Sequence, residues 1–582
     1  MKQINISEYS IIRDVPPVLD VSSRVAIDTE FTGMDKKRLH RPTGQFACAT
    51  FYFGGKDVYI VENIKDLPQA FSNIEQAGWI FHNAKFDVFH LRRYLHIPVR
   101  MKMWDTMLVE QVRYSGLYDE FNLGALCRRY LDIYMEKEVR EEFSSLEGEM
   151  TQSQVEYACL DTIATHQIFQ IQRTEMDADD LKVWKDIELP FLWVLLSIGG
   201  VRLDVEKWLK LAIDNESKAK SIQDKYGKKV NKISEKTGKT LSTFVFDGVN
   251  LASPKQVKGH LASLGFAELE STDEENLSRI SSRCEFAVEL LQFRTLSKRS
   301  GTYGEEYINK YLESDGKIHA DYFQIGAITG RMSSRSPNLQ NQPRDGGYRE
   351  CYVADEDSEL VIADWSSQEP KFAAYITQDA NLIDALNSKE KLYIRIARDA
   401  LGIEVKKGEP LYNDMKSTIL GLFYGMSAKG LSARLGKTED EAQDMINAVF
   451  AAYPKLAQWI RTSQSQYVPY VTTVSGRKVW LKEYTNEWRR LILNAPIQGS
   501  AADAMKLSSV KLVQEWHGSL DVPVSIIRMF VHDELVSELP KKDVEKFIPI
   551  LERVMIDVAN SLHPGVQAGV EIGHGISWAE KA

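Results

Sequence analysis

The chain has 582 residues, 43% of them hydrophobic, which excludes a disordered chain and calls for about two to four globular domains. Its five cysteines (Cys48, Cys127, Cys159, Cys284, Cys351) are scattered without a C-x-x-C pair, which excludes a disulfide framework or a cysteine zinc site. A formal net charge of −10 averages over surfaces that can differ in sign, so it does not exclude a nucleic-acid partner.

The N-terminus, MKQINISEYS, lacks the apolar core of a signal peptide, and no run is long enough to span a membrane, so a soluble cytoplasmic protein is expected. RVAIDTEF and FACATFYFGGKDVYIVE read as strands, the latter folded at Gly54–Gly55, and helical stretches follow from about residue 105 to 180. This alternation predicts an α/β domain over residues 1–185. Asp28 and Glu30 are two residues apart on the first strand and share its face. HNAKFD ends in Asp87, and EYACLD sets Tyr157 and Asp161 four residues apart on one helix face. Four acids and a tyrosine suit a nuclease that holds two divalent cations and positions an attacking water.

Residues 186–315 read as mostly helical. Lysines at 207, 210, 218, 220, 225, 228, 229, 232, 236 and 239 lie over a helical apolar period. Two readings stand there, a solvated helical face and a helical hairpin that tracks phosphates.

The remainder, 316–582, mixes long helices with short apolar strands. In ELVIADWSSQEP a strand ends in Asp364, and Ser366-x-x-Glu369 resembles a capping box, which would explain Glu369 without catalysis. In LYNDMKSTILGLFYGMSAKG, Tyr412, Lys416, Leu420 and Tyr424 recur every four residues and share a helix face. An unpaired ammonium is costly inside a core, so Lys416 is expected to face outward, towards a phosphate. FVHDELVSEL sets His532, Asp533 and Glu534 in an apolar stretch, either as a hairpin turn with exposed acids or as a metal site. If Asp364 and Asp533 lie on neighbouring strands, they can hold two Mg2+ ions for in-line phosphoryl transfer.

Taken together, D-x-E, N-x-x-x-D and Y-x-x-x-D in the first 161 residues resemble proofreading 3′-5′ exonucleases of the DEDD family, tyrosine subtype. Further on, SPKQ, TGRMSSRSPNLQNQP, DWSSQEPKF, KSTILGLFYG, SGRKVW, NAPIQGSAAD and VHDELV resemble the ordered motifs of a family A DNA polymerase of the phage or bacterial polymerase I type. The resemblance implies a multidomain α/β protein: an RNase H-like exonuclease over 1–185, then a right hand. Its thumb would be 186–315, its palm and fingers 316–582, and its fingers about 380–470.

By the same resemblance Asp28, Glu30, Asp87 and Asp161 hold the exonuclease metals, Tyr157 orients the water and Asn83 helps to place the substrate. Asp364 and Asp533 hold the polymerase metals, with Glu534 as an accessory carboxylate. Lys416 and Arg490 serve the incoming triphosphate, Tyr424 stacks near the templating base, and Glu369 and Leu420 border the sugar. Arg331, Asn341, Gln498 and His532 touch primer-template, some of them through minor-groove acceptors shared by several base pairs. Implied with these are Mg2+, two ions per site and replaceable by Mn2+, dNTPs, replisome partners (a helicase-primase and a single-strand binding protein), a monomeric state and a role in phage replication.

The chain departs from the family pattern at Tyr412 (usually arginine), Leu420 (usually phenylalanine or tyrosine), Tyr393 (often histidine) and Pro370–Lys371. No 5′ nuclease segment precedes the exonuclease motifs. A nuclease that only holds DNA with its C-terminal half, or a non-enzymatic processivity factor, would not need both acid sets complete.

Overall fold

The computed structural model describes residues 4–34, 43–99, 102–135, 143, 146, 148–233, 240–465, 467–482 and 486–580, with the backbone alone at 229–233, 240–246 and 486. The N-terminal body is built on strands β1 (Ser10–Ile12), β2 (Arg24–Thr32), β3 (Gln45–Tyr52), β4 (Asp57–Val61), β5 (Gly78–Phe81) and β6 (Met103–Asp105). They form one sheet in the order β1-β4-β3-β2-β5-β6. The predicted Gly-Gly turn joins β3 to β4, with both glycines at positive φ. Helices α1 (Ala84–Leu91) and α2 (Gln152–Glu175) follow, the second opened by a Thr151–Gln154 capping box.

Helix α3 (Leu189–Leu196), LPFLWVLL, is buried on every side, as expected of a helix that is apolar all round. Strand β7 (Val201–Leu203) pairs with β10 (Lys317–Ile318) and β11 (Tyr352–Val353). The segment 189–203, predicted as the start of the thumb, is therefore tied to the C-terminal body. The lysine-rich region is also only half helical. Helix α4 (Val205–Tyr226) stops at Gly227, and β8 (Gly227–Ile233) pairs with β9 (Thr240–Gly248) where a second helix was expected. TLSTFVF is rich in β-branched and aromatic residues, which favours the strand. Of the lysines, Lys207 pairs with Glu350 and Lys225 with Glu289 and Glu285. Lys210, Lys218, Lys220 and Lys228 are exposed, while Lys236, Lys239 and the side chains of Lys229 and Lys232 lie outside the described residues. α4 packs along α5 (Glu285–Thr302).

The second sheet is antiparallel and consists of β12 (Ser358–Trp365), β13 (Ile527–Val531), β14 (Glu534–Pro540) and β15 (Val570–Gly575), in the order β13-β14-β12-β15. Helix α6 (Gln368–Thr377) follows β12, α7 (Pro410–Phe423) packs against the helix Leu392–Leu401 and against α8 (Asn486–His517), and α8 packs against α6 and α3.

The SGRKVW segment fixes the two bodies together. Arg477, fully buried, bonds Glu188 and sets its guanidinium 2.6 and 2.9 Å from Asp503. Lys506 lies 2.6 Å from Glu188. Burial alone would raise the Glu188 carboxyl, but Lys506 and Arg477 outweigh it and hold it below its usual value. Burial pushes Lys506 down to about 8 despite that partner. Losing one member of such a cluster strands a charge in the core, typically at about 3–5 kcal/mol. On the neighbouring strand, Trp480 Nε1 donates to the Arg113 carbonyl at 2.6 Å, and its backbone N–H donates to that of Ser115 at 2.8 Å. Gly116 must be glycine here, since a Cβ would lie 2.2 Å from the Trp480 carbonyl oxygen.

Candidate active sites

On β2 the alternation of the strand turns Asp28 and Glu30 to one side, where α2 brings Asp161. One ligand oxygen from each lies within 4.8 Å of the others, a set of hard oxygen donors that fits Mg2+ or Mn2+. Asp87 is not one of this trio. Its Oδ1 accepts from the backbone N–H (3.0 Å) and hydroxyl (2.6 Å) of Thr29, the residue between the two acids. Burial raises Asp87 to about 7, against those two hydrogen bonds. Tyr157 stands one helical turn before Asp161 on α2, half-buried.

Asn83 precedes α1 in the left-handed region, its N–H and that of Ala84 bonded to Asp105. Asp105 also caps the helix Thr106–Tyr114, and burial raises it to about 6. No motif signalled Asp105; its role comes from its place at the end of β6.

The second site lies where β12 meets the β13–β14 hairpin. Register pairs Asp364 with Glu534, and the loop between Val531 and Glu534 holds only His532 and Asp533. VHDE is therefore a hairpin turn, yet one that register sets beside the Asp364 end of a neighbouring strand. Asp364 and Asp533 offer carboxylate oxygens of the kind Mg2+ takes.

Ser366–Glu369 is not a capping box. Residue Ser367 takes φ 56°, the helix has no side-chain cap, and the Ser366 hydroxyl donates to Glu571 instead. The Glu369 carboxylate accepts from Arg331 at 2.7 Å and from the Tyr424 hydroxyl at 3.3 Å. Gln498 donates to Tyr424 at 3.4 Å and accepts from Thr329 at 2.8 Å. Burial raises the Glu369 carboxyl, with Arg331 opposing and Asp533 adding to the rise.

These groups border a cleft of about 830 Å³ lined by Glu369, Leu420, Tyr424, Arg434, Arg489 and Arg490 among others. Arg434 and Arg489 were not foreseen. Tyr412, Lys416 and Leu420 lie along α7, with Tyr424 at its C-terminal cap. Lys416 is exposed, as expected, its Nζ 5.9 Å from the Tyr393 ring, and Tyr393 packs edge-on against Tyr412. His532 and Asn341 are exposed on the same body, the Asn341 carbonyl accepting from Tyr303. Glu534, in contrast, is buried, held by Trp578 and near Arg349.

A sequence model described as DNA polymerase family A matches residues 216–580, and one described as 3′-5′ exonuclease matches 4–177. DNA polymerase I of Borreliella burgdorferi is 28% identical over 552 residues, 90% of this chain and 58% of its own length. DNA polymerase I of Pseudomonas aeruginosa is 32% identical over 357 residues, 57% of this chain and 38% of its own. The chain thus spans only part of its curated relatives. A structure described as the POL domain of Pol1 from M. smegmatis, in complex with DNA primer-template and dNTP, superposes with a TM-score of 0.78 at 24% identity. It covers 98% of this chain and 99% of its own, a likeness of fold.

Proposed function

The chain belongs to DNA polymerase family A and carries a 3′-5′ exonuclease domain, and we propose that it copies template DNA by adding dNTPs to a primer 3′ end and removes mispaired ends. The observation that carries this reading is the pairing of Asp364 with Glu534 across β12 and β14, next to the Asp533 turn, in a chain whose helix α7 bears exposed Lys416. Asp364 and Asp533 would hold the polymerase cations, and Asp28, Glu30 and Asp161, with Asp87 beside them, the exonuclease cations. Divalent ions there supply charge stabilisation for in-line phosphoryl transfer.

The side chains do the rest. Lys416 neutralises the triphosphate and can donate a proton towards the departing pyrophosphate, and Arg490 adds charge from the cleft. Tyr424 and Glu369 border the sugar of the incoming nucleotide, while Gln498, Arg331, Asn341 and His532 meet the primer-template. Tyr157 orients the attacking water at the other site. The domain division is an exonuclease to about 185, a thumb beginning at α4, then palm and fingers, and the setting is phage genome replication. Template-dependent primer extension with dNTPs and Mg2+ tests the reading; single-strand digestion without any extension would leave only a nuclease.

Because Glu369 is hydrogen-bonded to Arg331 and Tyr424 instead of capping its helix, Glu369→Ala opens space beside the sugar. Ribonucleotide incorporation is expected to rise relative to deoxyribonucleotide by about 10-fold or more, within the range of one pocket contact. The ratio of kcat/KM for dATP and ATP opposite template T measures it, independently of the fraction folded. Selectivity equal to the parent's would mean that sugar discrimination lies elsewhere.

A further inference from the structure

Glu534 adjoins Asp533 in sequence and faces Asp364 in register, so it would be taken for a third ligand. Its surroundings argue otherwise. The side chain is 5% exposed, one carboxylate oxygen accepts from Trp578 Nε1, and the other lies 3.6 Å from the Arg349 guanidinium. That guanidinium stacks on the Trp578 ring with its carbon 4.1 Å from the centroid. Trp578 is 1% exposed and packs edge-on against Tyr352, so the clamp is anchored in the core.

The loop beside it needs an anchor. In a two-residue hairpin whose first residue has positive φ, glycine is the usual choice, yet His532 stands there at φ 59°. A non-glycine residue in that region persists only when its neighbours over-determine it. Glu534 is the next residue but one, held from two directions.

We propose that Trp578 and Arg349 are positioning residues that act through Glu534: they hold the start of β14 so that the strained turn presents Asp533 towards Asp364, and Glu534 itself binds no metal. This rests on the polymerase reading of the Asp364–Asp533 site. A carboxylate that receives an indole N–H and a guanidinium has its charge already compensated, which weakens it as a cation ligand. Arg349 also lies within electrostatic range of Asp364, so the clamp spans both strands that carry the acids.

The test uses the full chain carrying Asp28→Ala and Glu30→Ala, bound to a dideoxy-terminated primer-template and the next dNTP, with Mn2+ binding followed by electron paramagnetic resonance. Trp578→Phe keeps an aromatic face for Arg349 and removes the N–H together with the rest of the pyrrole ring. It is expected to weaken Mn2+ binding about 10- to 100-fold, the usual cost of losing a partner that orients a ligand, with the number of ions bound unchanged. Arg349→Lys, which keeps the charge and loses the stacked plane, should shift binding the same way, and it serves if Trp578→Phe does not fold. Glu534→Gln should likewise retain every ion, and combined with Trp578→Phe it should cost no more than the worse single change. Loss of one bound ion in Glu534→Gln would make it a ligand and overturn the proposal, as would parental Mn2+ affinity in Trp578→Phe and Arg349→Lys. Failure of the parent to extend a normal primer would instead strike the polymerase reading, since Mn2+ affinity is read without turnover.

Discussion

Asp28→Ala combined with Glu30→Ala is expected to lower digestion of a single-stranded 3′ end by at least about 10³-fold while primer extension stays within about twofold of the parent. The pair removes two of the three carboxylates whose oxygens gather within 4.8 Å, leaving Asp161 alone on α2. It leaves untouched every group at the β12–β14 site, which draws its acids from a different sheet. Both side chains are only half-buried on their strand, so their loss also leaves the core of the sheet intact. Gel assays of labelled primer, with and without dNTPs, read the two activities on one preparation. Equal loss of extension would contradict the separation of the sites.

Lys416→Ala is expected to slow nucleotide addition by at least about 10²-fold, the range of a group that supplies both charge and a proton in the transition state. The structure favours a clean reading of that loss. Lys416 is exposed, and among the described residues no carboxylate forms a salt bridge with it, so its removal strands no partner charge. Its ammonium lies 5.9 Å from the Tyr393 ring, and exposed cation–π contacts contribute only about 0.5–1 kcal/mol. Single-turnover incorporation measures the effect, and exonuclease rates in the same variant should match the parent. Extension at the parental rate would make the residue an ordinary solvated lysine.

The acids were legible because strand and helix periods are local. Asp28 and Glu30 share a face through the two-residue repeat of β2, and Tyr157 and Asp161 through the turn of α2. Asp364 at the end of an apolar strand was equally plain. What sequence could not carry was anything fixed by distant backbone. The capping box failed because Ser367 enters the left-handed region, which its side chain does not announce. Glu369 is instead bonded to Arg331, 38 residues earlier, and to Tyr424, 55 residues later. The second helix expected in the lysine-rich region was misread because an apolar period beneath the lysines continues into residues that pair as a hairpin with the β-branched segment 240–246. Asp87 carried the right motif, but its bonds to Thr29 depend on how α1 packs. Trp578 and Arg349 gave no signal, since neither lies at a recognisable spacing from Glu534.

The hairpin that ends in Trp480 has a bearing on how such a protein can be taken apart. Its carbonyl sits against Gly116, its indole against Arg113, and Lys478 reaches Asp177 and Asp180, all on the N-terminal side. Three residues before Trp480, and one before Lys478, Arg477 enters the charge cluster that Glu188 completes. The body that carries Asp28, Glu30 and Asp161 is thus bonded to this hairpin through Arg113, Ser115, Asp177 and Asp180, contacts that two alanine substitutions would leave in place and excision would not. A truncation that starts after Glu188 would leave Lys506 buried without its carboxylate and the Trp480 indole without the Arg113 carbonyl it bonds. On the proposed reading, the domain that would proofread doubles as masonry for the one that would copy, and silent retention costs the fold less than excision.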